Sequence, residues 1–304
     1  MKRLWFIFAG LITIPSALVA LIGQTAAWWW PGELCCHWTL HAALGLIVGA
    51  IVWRRSDVIS RFCVLLMIVA LVPWIRSAFD ERAAPPDGSG LNIAWSNLYR
   101  YNEHRAEALA QISASDAELV GLTEVLPADR ASLTRWPHQV WTPADNLNAC
   151  ALLSTKPIVG SKIRTWDGIE IIDAIVDMGD HPLRVLVCHL TAPLKPEWSQ
   201  RRDQQIHELV ATIEQTSVMA TLVMGDLNLT PATHLWQPLL KATHLVRAPG
   251  FTPATWPAWS SPWARCPGIA IDHILVRNTR LAPLETWWVP GSDHLGLRTS
   301  LQMK

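Results

Sequence analysis

The sequence predicts an α/β domain of stacked sheets carried behind an apolar, membrane-seeking segment, and three observations lead there. Charge is unevenly spread: residues 1–80 hold six Lys/Arg and three Asp/Glu, whereas 81–304 hold nineteen and twenty-two, a formal balance of −3. Strand-like and helix-like stretches alternate after residue 90. Several of the strand-like stretches are apolar on both faces, with Val185 and Val187 on one side and Leu186 and Cys188 on the other. Such a strand needs a layer above it and a layer below.

The first part reads as a membrane anchor of three transmembrane helices, at about 4–23, 34–53 and 58–75. A run of this length crosses ~30 Å of hydrocarbon at ~1.5 Å per residue. His37 and His41 are the strongly polar residues of the second run, and Arg61 near one end of the third can snorkel. A cleaved signal peptide is the poorer reading of the first run, which is too long and is followed by two more. Lys2 and Arg3 precede the first span, Arg54, Arg55 and Arg61 sit between the second and third, and Trp28–Trp30 lie in a loop without Lys or Arg. By the positive-inside rule the N-terminus is cytoplasmic and residue 80 onward lies on the far side. Residues 81–90, ERAAPPDGSG, read as a linker to a globular part at 91–304.

Within that part, 91–98 and 117–125 read as strands with a helix at 102–115 between them, Asn102 serving as its N-cap. Strand candidates at 149–154, 170–178 and 183–190 follow without crossover helices, which favours an antiparallel meander. Two packed sheets with helices outside each satisfy the doubly apolar strands; an open doubly wound sheet would as well. A helix at 197–216 and strands around 221–228, 269–277 and 295–301 complete the pattern. Six cysteines, at 35, 36, 63, 150, 188 and 266, show no C-x-x-C spacing, so no zinc or redox motif follows from them. In a meander, Cys150 and Cys188 would lie two strands apart at ~10 Å, too far for a disulfide at ~7 Å.

The chemistry gathers where apolar strands stop. Asn97, Glu124, His189, Asp226, Asn228, Asp272, Asp293 and His294 all sit at such ends, and all are oxygen donors or imidazoles. Each alone has a bland reading as a turn, surface or hydrogen-bonded core residue. Together they fit a site for a hard cation: Glu124, Asp293 and Asn97 offer the oxygens that Mg²⁺ prefers, and the spacings of a zinc site are missing. Asp226 and Asn228, two apart on extended chain, should face one way. Gly225 leaves room where a phosphate would approach the backbone. Alternation separates Asp272 from His273, leaving Asp272 to orient His294 as the acid does in a hydrolase triad.

The ordered set resembles the endonuclease/exonuclease/phosphatase superfamily, which includes DNase I-like nucleases, inositol-polyphosphate phosphatases and bacterial sphingomyelinases. GDLN at 225–228 and SDH at 292–294 carry the resemblance most specifically, with HLTAP at 189–193, TEV at 123–125 and IDHILV at 271–276 in the expected order. It implies a four-layer α/β/β/α sandwich over 91–304 and hydrolysis of phosphoesters with a divalent metal, Mg²⁺ or in its place Mn²⁺. It further implies Glu124 as principal metal ligand with Asn97 and Asp293, and Asp226 and Asn228 around the attacking water and phosphate. His189 and His294 would contact the scissile phosphate, with Asp272 behind His294. The sequence departs from the pattern at Asn148-Ala149, where many members have glycine, and at Gly296, where proline is frequent. The layout is similar to a bacterial inner-membrane subgroup with a periplasmic catalytic domain.

Substrate class is the open question among nucleic acid, phospholipid and a small phosphate ester. A balance of −3 lacks the basic excess of a tight nucleic-acid binder. Arg201 with Arg202 could make a local patch. Trp256, Trp259 and Trp263 could stack bases, rest on a membrane or plug a loop into the core. Asn148, Arg201 and Trp256 are therefore the candidate substrate contacts. The lipid bilayer is a partner through residues 1–80, and no protein partner is inferred. A sphingomyelinase-type lipid phosphodiesterase is one rival reading; a non-catalytic scaffold, which usually loses a ligand or a histidine, is another, and here none is missing.

Overall fold

The computed structural model describes the backbone of residues 2–304 except 144–145, 180, 217–218 and 259–267, with side chains for these except 2–6 and 8. Two compact units emerge. The first holds residues 1–80 together with 193–200 and 230–238; the second holds 81–192, 201–229 and 239–304.

The first unit contains α1 (Lys2–Ile22), α2 (Trp30–Cys36), α3 (Thr39–Val52) and α4 (Asp57–Ala78). Among the described residues α4 is the one helix long and apolar enough to cross a membrane, and α2 with α3 could make a second span. The run at 34–53 is therefore not one straight helix. It breaks at His37–Trp38 with a 70° bend, and the cause is chemical. His37 Nδ1 lies 3.0 Å from the Thr230 hydroxyl and Glu33 is fully buried, so this turn serves polar partners inside the unit. Trp30 Nε1 donates to Pro193 O at 2.8 Å, and Trp236 Nε1 donates to Asp80 at 2.9 Å.

The second unit runs β1 (Leu91–Asn97), α5 (Arg105–Ala114), β2 (Leu119–Thr123), β3 (His138–Trp141), β4 (Cys150–Ser154), β5 (Ile158–Trp166), β6 (Ile169–Asp177) and β7 (Pro182–His189). It continues through α6 (Pro196–Glu214), β8 (Thr221–Asp226), α7 (Trp236–Thr243), β9 (Val246–Arg247), β10 (Asp272–Arg277), β11 (Thr279–Leu281), β12 (Glu285–Trp287) and β13 (Gly296–Met303), with residues 196–200 of α6 and 236–238 of α7 belonging to the first unit. One mixed sheet is ordered β11-β13-β1-β2-β4-β3 with β12 beside β13; the other is β5-β6-β7-β8-β10-β9.

Alternation along each strand then builds the layers. Leu91, Ile93, Trp95, Leu119 and Leu152 of the first sheet meet Ile172, Val185, Val187, Leu222, Met224 and Ile274 of the second. On the outer side Ala94, Val120, Leu122 and Leu153 pack with Ala108, Leu109 and Ile112 of α5. Gly121 keeps the sheets close, since a Cβ there would run into the Met224 thioether. Arg184 and Arg277 reach from β7 and β10 to the Thr212 and Ile213 carbonyls, which fastens α6 outside the second sheet. The result is α5, sheet, sheet, α6.

Three local expectations need correcting. The strand at 149–154 does not continue into a meander: β4 pairs with β2 and β3 in one sheet, while β6 and β7 pair in the other with β5 outside them. Cys150 and Cys188 are both free and buried, but the strand-order argument does not keep them apart. Burial pushes both thiols up, with Glu170 adding to the effect on Cys150, and Cys150 and Asp173 adding to the effect on Cys188. Asn102 does not cap α5, whose N-cap is His104. Its amide instead donates to Leu98 O and Pro290 O, at 3.0 and 2.8 Å, a connection between strand ends.

Candidate active site

β1 and β2 run parallel in register Asn97 with Thr123, so Asn97 and Glu124 emerge at the same sheet edge. Asn97 Nδ2 donates to Glu124 Oε1 at 2.9 Å, and the Arg100 amide donates to Oε2 at 2.7 Å. Glu124 itself sits at φ 56°, a left-handed turn that a side chain adopts only when its surroundings hold it there. Arg105 supplies that hold, donating to Glu124 O at 2.6 Å while its fork grips Asp129.

The second sheet converges on the same chemistry. Parallel pairing sets His189 beside Asp226, and antiparallel pairing sets Asp272 opposite Asp226. His294 Nδ1 lies 2.8 Å from Asp272 Oδ2, and its Nε2 lies 3.8 Å from Asp226 Oδ2. His189 Nε2 is 3.5 Å from that same Asp226 oxygen. A dyad thus orients one imidazole, and a central carboxylate lies between two imidazoles. His273 faces the other way and bonds Leu229 O at 2.6 Å, as alternation requires.

Asp226 and Asn228 do come together, though not by strand alternation. β8 ends at Asp226 and Asn228 turns at φ 47°. Its amide N–H closes onto Asp226 Oδ1 at 2.9 Å, and its side chain donates to Leu190 O at 2.8 Å. Gly225 is explained by the neighbouring strand instead of a ligand: a Cβ there would collide with the Cys188 carbonyl.

Electrostatics follow from burial and crowding. Burial, with Asp272 close by, holds the Asp226 carboxyl well above the usual range against the opposing pull of His294 and the Asn228 amide. Burial alone would lower His294, but Asp272, Asp226 and Asp293 outweigh it and raise the imidazolium to about 10. Burial lowers His189 despite the attraction of Glu124. Glu124 therefore acts on both His189 and Asp226, which brings the two sheet edges into one site.

Would a cation fit? Carboxylate oxygens of Asp226 and Asp272 lie within 4.8 Å of each other, and Asp293 Oδ1 comes to 4.0 Å from the His294 ring. Among the described residues, buried Asp272 Oδ1 and Asp293 Oδ1 have no hydrogen-bond partner. Crowded carboxylates with spare oxygens are what a divalent ion offsets. The donor chemistry fits.

The weaker candidates fare differently. Asn148 Nδ2 donates to His189 O at 3.0 Å, so it props the histidine strand. Trp256 Nε1 donates to Asp293 Oδ2 at 3.1 Å, which makes it a holder of that carboxylate. Arg201 is half-exposed and pairs with Asp167 at 3.5 Å, away from the carboxylate–imidazole cluster. Its neighbour Arg202 is fully buried, donating to Asn228 O at 2.8 Å, so the two do not form a surface patch. Trp259, Trp263 and Cys266 lie outside the described residues. Three positioning residues escaped the sequence: Arg105, Arg202 and Ser292, whose hydroxyl bonds Asn97 O at 2.7 Å and receives the His294 amide at 3.0 Å. Ser292 stands in the SDH motif without showing this role, Arg202 falls four and seven residues before buried Ile206 and Leu209 on one helix face, and Arg105 leaves no signal.

The profile of the "Endonuclease/Exonuclease/phosphatase family" matches residues 91–294, the span that contains every residue just described. The chain belongs to this family. It is a phosphoesterase of that superfamily by membership. No curated relative matches the sequence. Solved structures agree on the fold. A humanized D. rerio TDP2 is 17% identical, covers 71% of this chain and 100% of its own, and has a TM-score of 0.56. Sphingomyelinase C from Streptomyces griseocarneus is 15% identical over 70% of this chain and 99% of its own, with a TM-score of 0.56. An endonuclease/exonuclease/phosphatase from Beutenbergia cavernae is 17% identical over 71% and 72%, also with a TM-score of 0.56.

Proposed function

We propose that this phosphoesterase is membrane-anchored, works with Mg²⁺ or Mn²⁺, and cleaves its substrate outside the cytoplasm, in a bacterium on the periplasmic face of the inner membrane. The observation that carries the catalytic reading is the contact chain Asp272–His294–Asp226–His189, faced by the bonded pair Asn97–Glu124. Glu124, Asn97 and Asp293 would hold the ion through oxygen donors. When bound, the ion polarises a phosphoryl oxygen and offsets the charge that grows in the transition state.

The chain's own groups divide the remaining work. Asp226, more basic than an ordinary carboxylate, takes the proton of the attacking water as the new O–P bond forms. Asn228 fixes Asp226 through its amide and leaves its side-chain oxygen as a further acceptor for that water. His294, kept protonated by Asp272, places its Nε2–H on a phosphoryl oxygen. His189, neutral at pH 7, donates from the other side. The P–O bond opposite the water breaks, and the leaving oxygen takes its proton from solvent.

A phospholipid phosphodiester is the second reading. Two observations favour it over a nucleic acid: the −3 balance of residues 81–304, and the exposure of Trp28 and Phe79, 84% and 85%, in the unit that includes the anchor. The anchored location rests on the apolar α4 and on the placement of Lys2, Arg3, Arg54, Arg55 and Arg61.

The experiment is a substrate screen of the full chain in detergent micelles, with Mg²⁺, Mn²⁺ or chelator. Single- and double-stranded DNA, RNA, phospholipid vesicles and inositol phosphates form the panel, and Asp226→Asn is the blank. Metal-dependent cleavage of one class above the blank supports the reading and names the class. Equal rates in wild type and blank on every substrate would leave the scaffold reading in possession.

A further inference from the structure

A second cluster of ligating side chains lies inside the first unit and has no part in the chemistry above. Glu33, Cys36 and His37 share one side of the end of α2, because residues three and four apart on a helix are neighbours. All three are buried, and one ligand atom of each lies within 4.8 Å of the others. His37 Nε2 is 3.8 Å from Glu33 Oε1. From the 230–238 segment of the same unit, His234 brings Nδ1 to 3.4 Å from Glu33 Oε2.

The surroundings are those of a ligand set and not only of an ion pair. His37 Nδ1 sits 3.0 Å from the Thr230 hydroxyl, which fixes the ring so that Nε2 turns to the carboxylate. Metal-binding imidazoles are held in this way by a partner on the far nitrogen. Cys36 Sγ now donates to Glu33 O at 3.0 Å and lies 3.9 Å from the Thr233 hydroxyl, so the thiol already points within the cluster.

We propose that Glu33, Cys36, His37 and His234 form a structural zinc site. One carboxylate, one thiol and two imidazoles make a mixed set that suits zinc, whereas Mg²⁺ takes oxygens alone. Four protein ligands leave no open position, which separates this centre from a catalytic one. Binding converts the Cys36 thiol to thiolate and releases its proton to solvent, while the Sγ–H bond to Glu33 O is given up. His234, whose side chain is 27% exposed, closes the site last and marks the way in. Zinc then joins α2 to the segment that directly follows the GDLN motif in sequence.

The test uses the full chain in detergent, without a polyhistidine tag, stripped with chelator and given Zn²⁺ alone. Metal retained after gel filtration is measured by emission spectrometry. Wild type and Glu124→Gln should both keep one zinc per chain, while Cys36→Ser and His37→Gln should lose it. Thr230→Val, which removes only the partner of Nδ1, should weaken binding ~10–100-fold. Co²⁺ in place of zinc should give a thiolate-to-cobalt charge-transfer band that Cys36→Ser abolishes. Circular dichroism of each variant distinguishes loss of the site from loss of fold. No zinc above background in wild type, or unchanged retention in either ligand variant when folded, overturns the site and leaves a hydrogen-bonded Glu–His cluster.

Discussion

Asp226 is the residue on which most of the proposed chemistry turns, because it touches both imidazoles and receives the Asn228 amide. Asp226→Asn keeps its volume and removes the proton acceptor, so kcat should fall ~10²–10⁴-fold while circular dichroism stays unchanged. Glu124→Gln should instead raise the Mg²⁺ concentration needed for half-maximal rate and recover in part as Mg²⁺ is raised. Near-normal turnover in folded Asp226→Asn would reduce GDLN to a structural turn. Asp272 acts through His294, so the pair should behave as one group. Asp272→Asn combined with His294→Ala should lose little more in kcat/KM than His294→Ala alone, and additive losses in the double-mutant cycle would separate them. At this scale the sequence was legible where chemistry is rare. A histidine or carboxylate ending an apolar run stands out, and Asp272 beside His273 could be sorted by alternation alone. The holding roles were not legible: Arg105 is an ordinary polar residue until the chain folds around Glu124, and Ser292, though part of the SDH motif, gives no sign of its bond to Asn97 O.

Two elements depend on buried arginines. Arg202 belongs to α6 yet holds the carbonyl of Asn228, so Arg202→Lys, which keeps charge but loses the fork, should let the GDLN turn drift. A drift of ~1 Å is enough to cost ~10²-fold in rate. The expected signature is a lower kcat at nearly unchanged melting temperature; loss of both together would mean that Arg202 only packs α6. On β6, Asp173 binds Arg164 at 2.6 Å and Arg184 at 2.7 Å. Burial alone would raise its carboxyl, but the two guanidinium groups outweigh that and hold it below the ordinary 3.8. Because the folded value is depressed, its contribution is complete above the unfolded value and disappears as pH falls through the folded one. Asp173→Asn should cost ~3 kcal/mol in denaturant melts followed by tryptophan fluorescence, at the lower end for a buried pair because Arg164 is partly exposed. It should also flatten the acid limb below about pH 4; an unchanged limb would refute the assignment. Strand existence was readable from apolar runs, whereas sheet membership was not. The run at 149–154 and the run at 170–178 look alike, and only long-range pairing sends the first to β2 and the second to β7.

For the whole molecule the charge pattern makes a definite expectation. A reporter active only outside the cytoplasm, fused after Lys304, should be active; an inactive one beside an active cytoplasmic reporter would mean an even number of crossings. The bend at His37–Trp38 is the place to look in that event, since α2 would then be a re-entrant piece and not half of a span. Apolar length suggested a straight helix there, and the polar partners that break it, Thr230 and His234, lie nearly two hundred residues away. That same distance has a consequence for engineering. The chain passes between its two units after residues 80, 192, 200, 229 and 238. A clone that begins at residue 81 therefore does not deliver a self-contained cassette: its 193–200 and 230–238 segments arrive without Trp30, Glu33, His37 and Asp80 to receive them. Anyone grafting this phosphoesterase onto another carrier would have to bring residues 30–80 along with it.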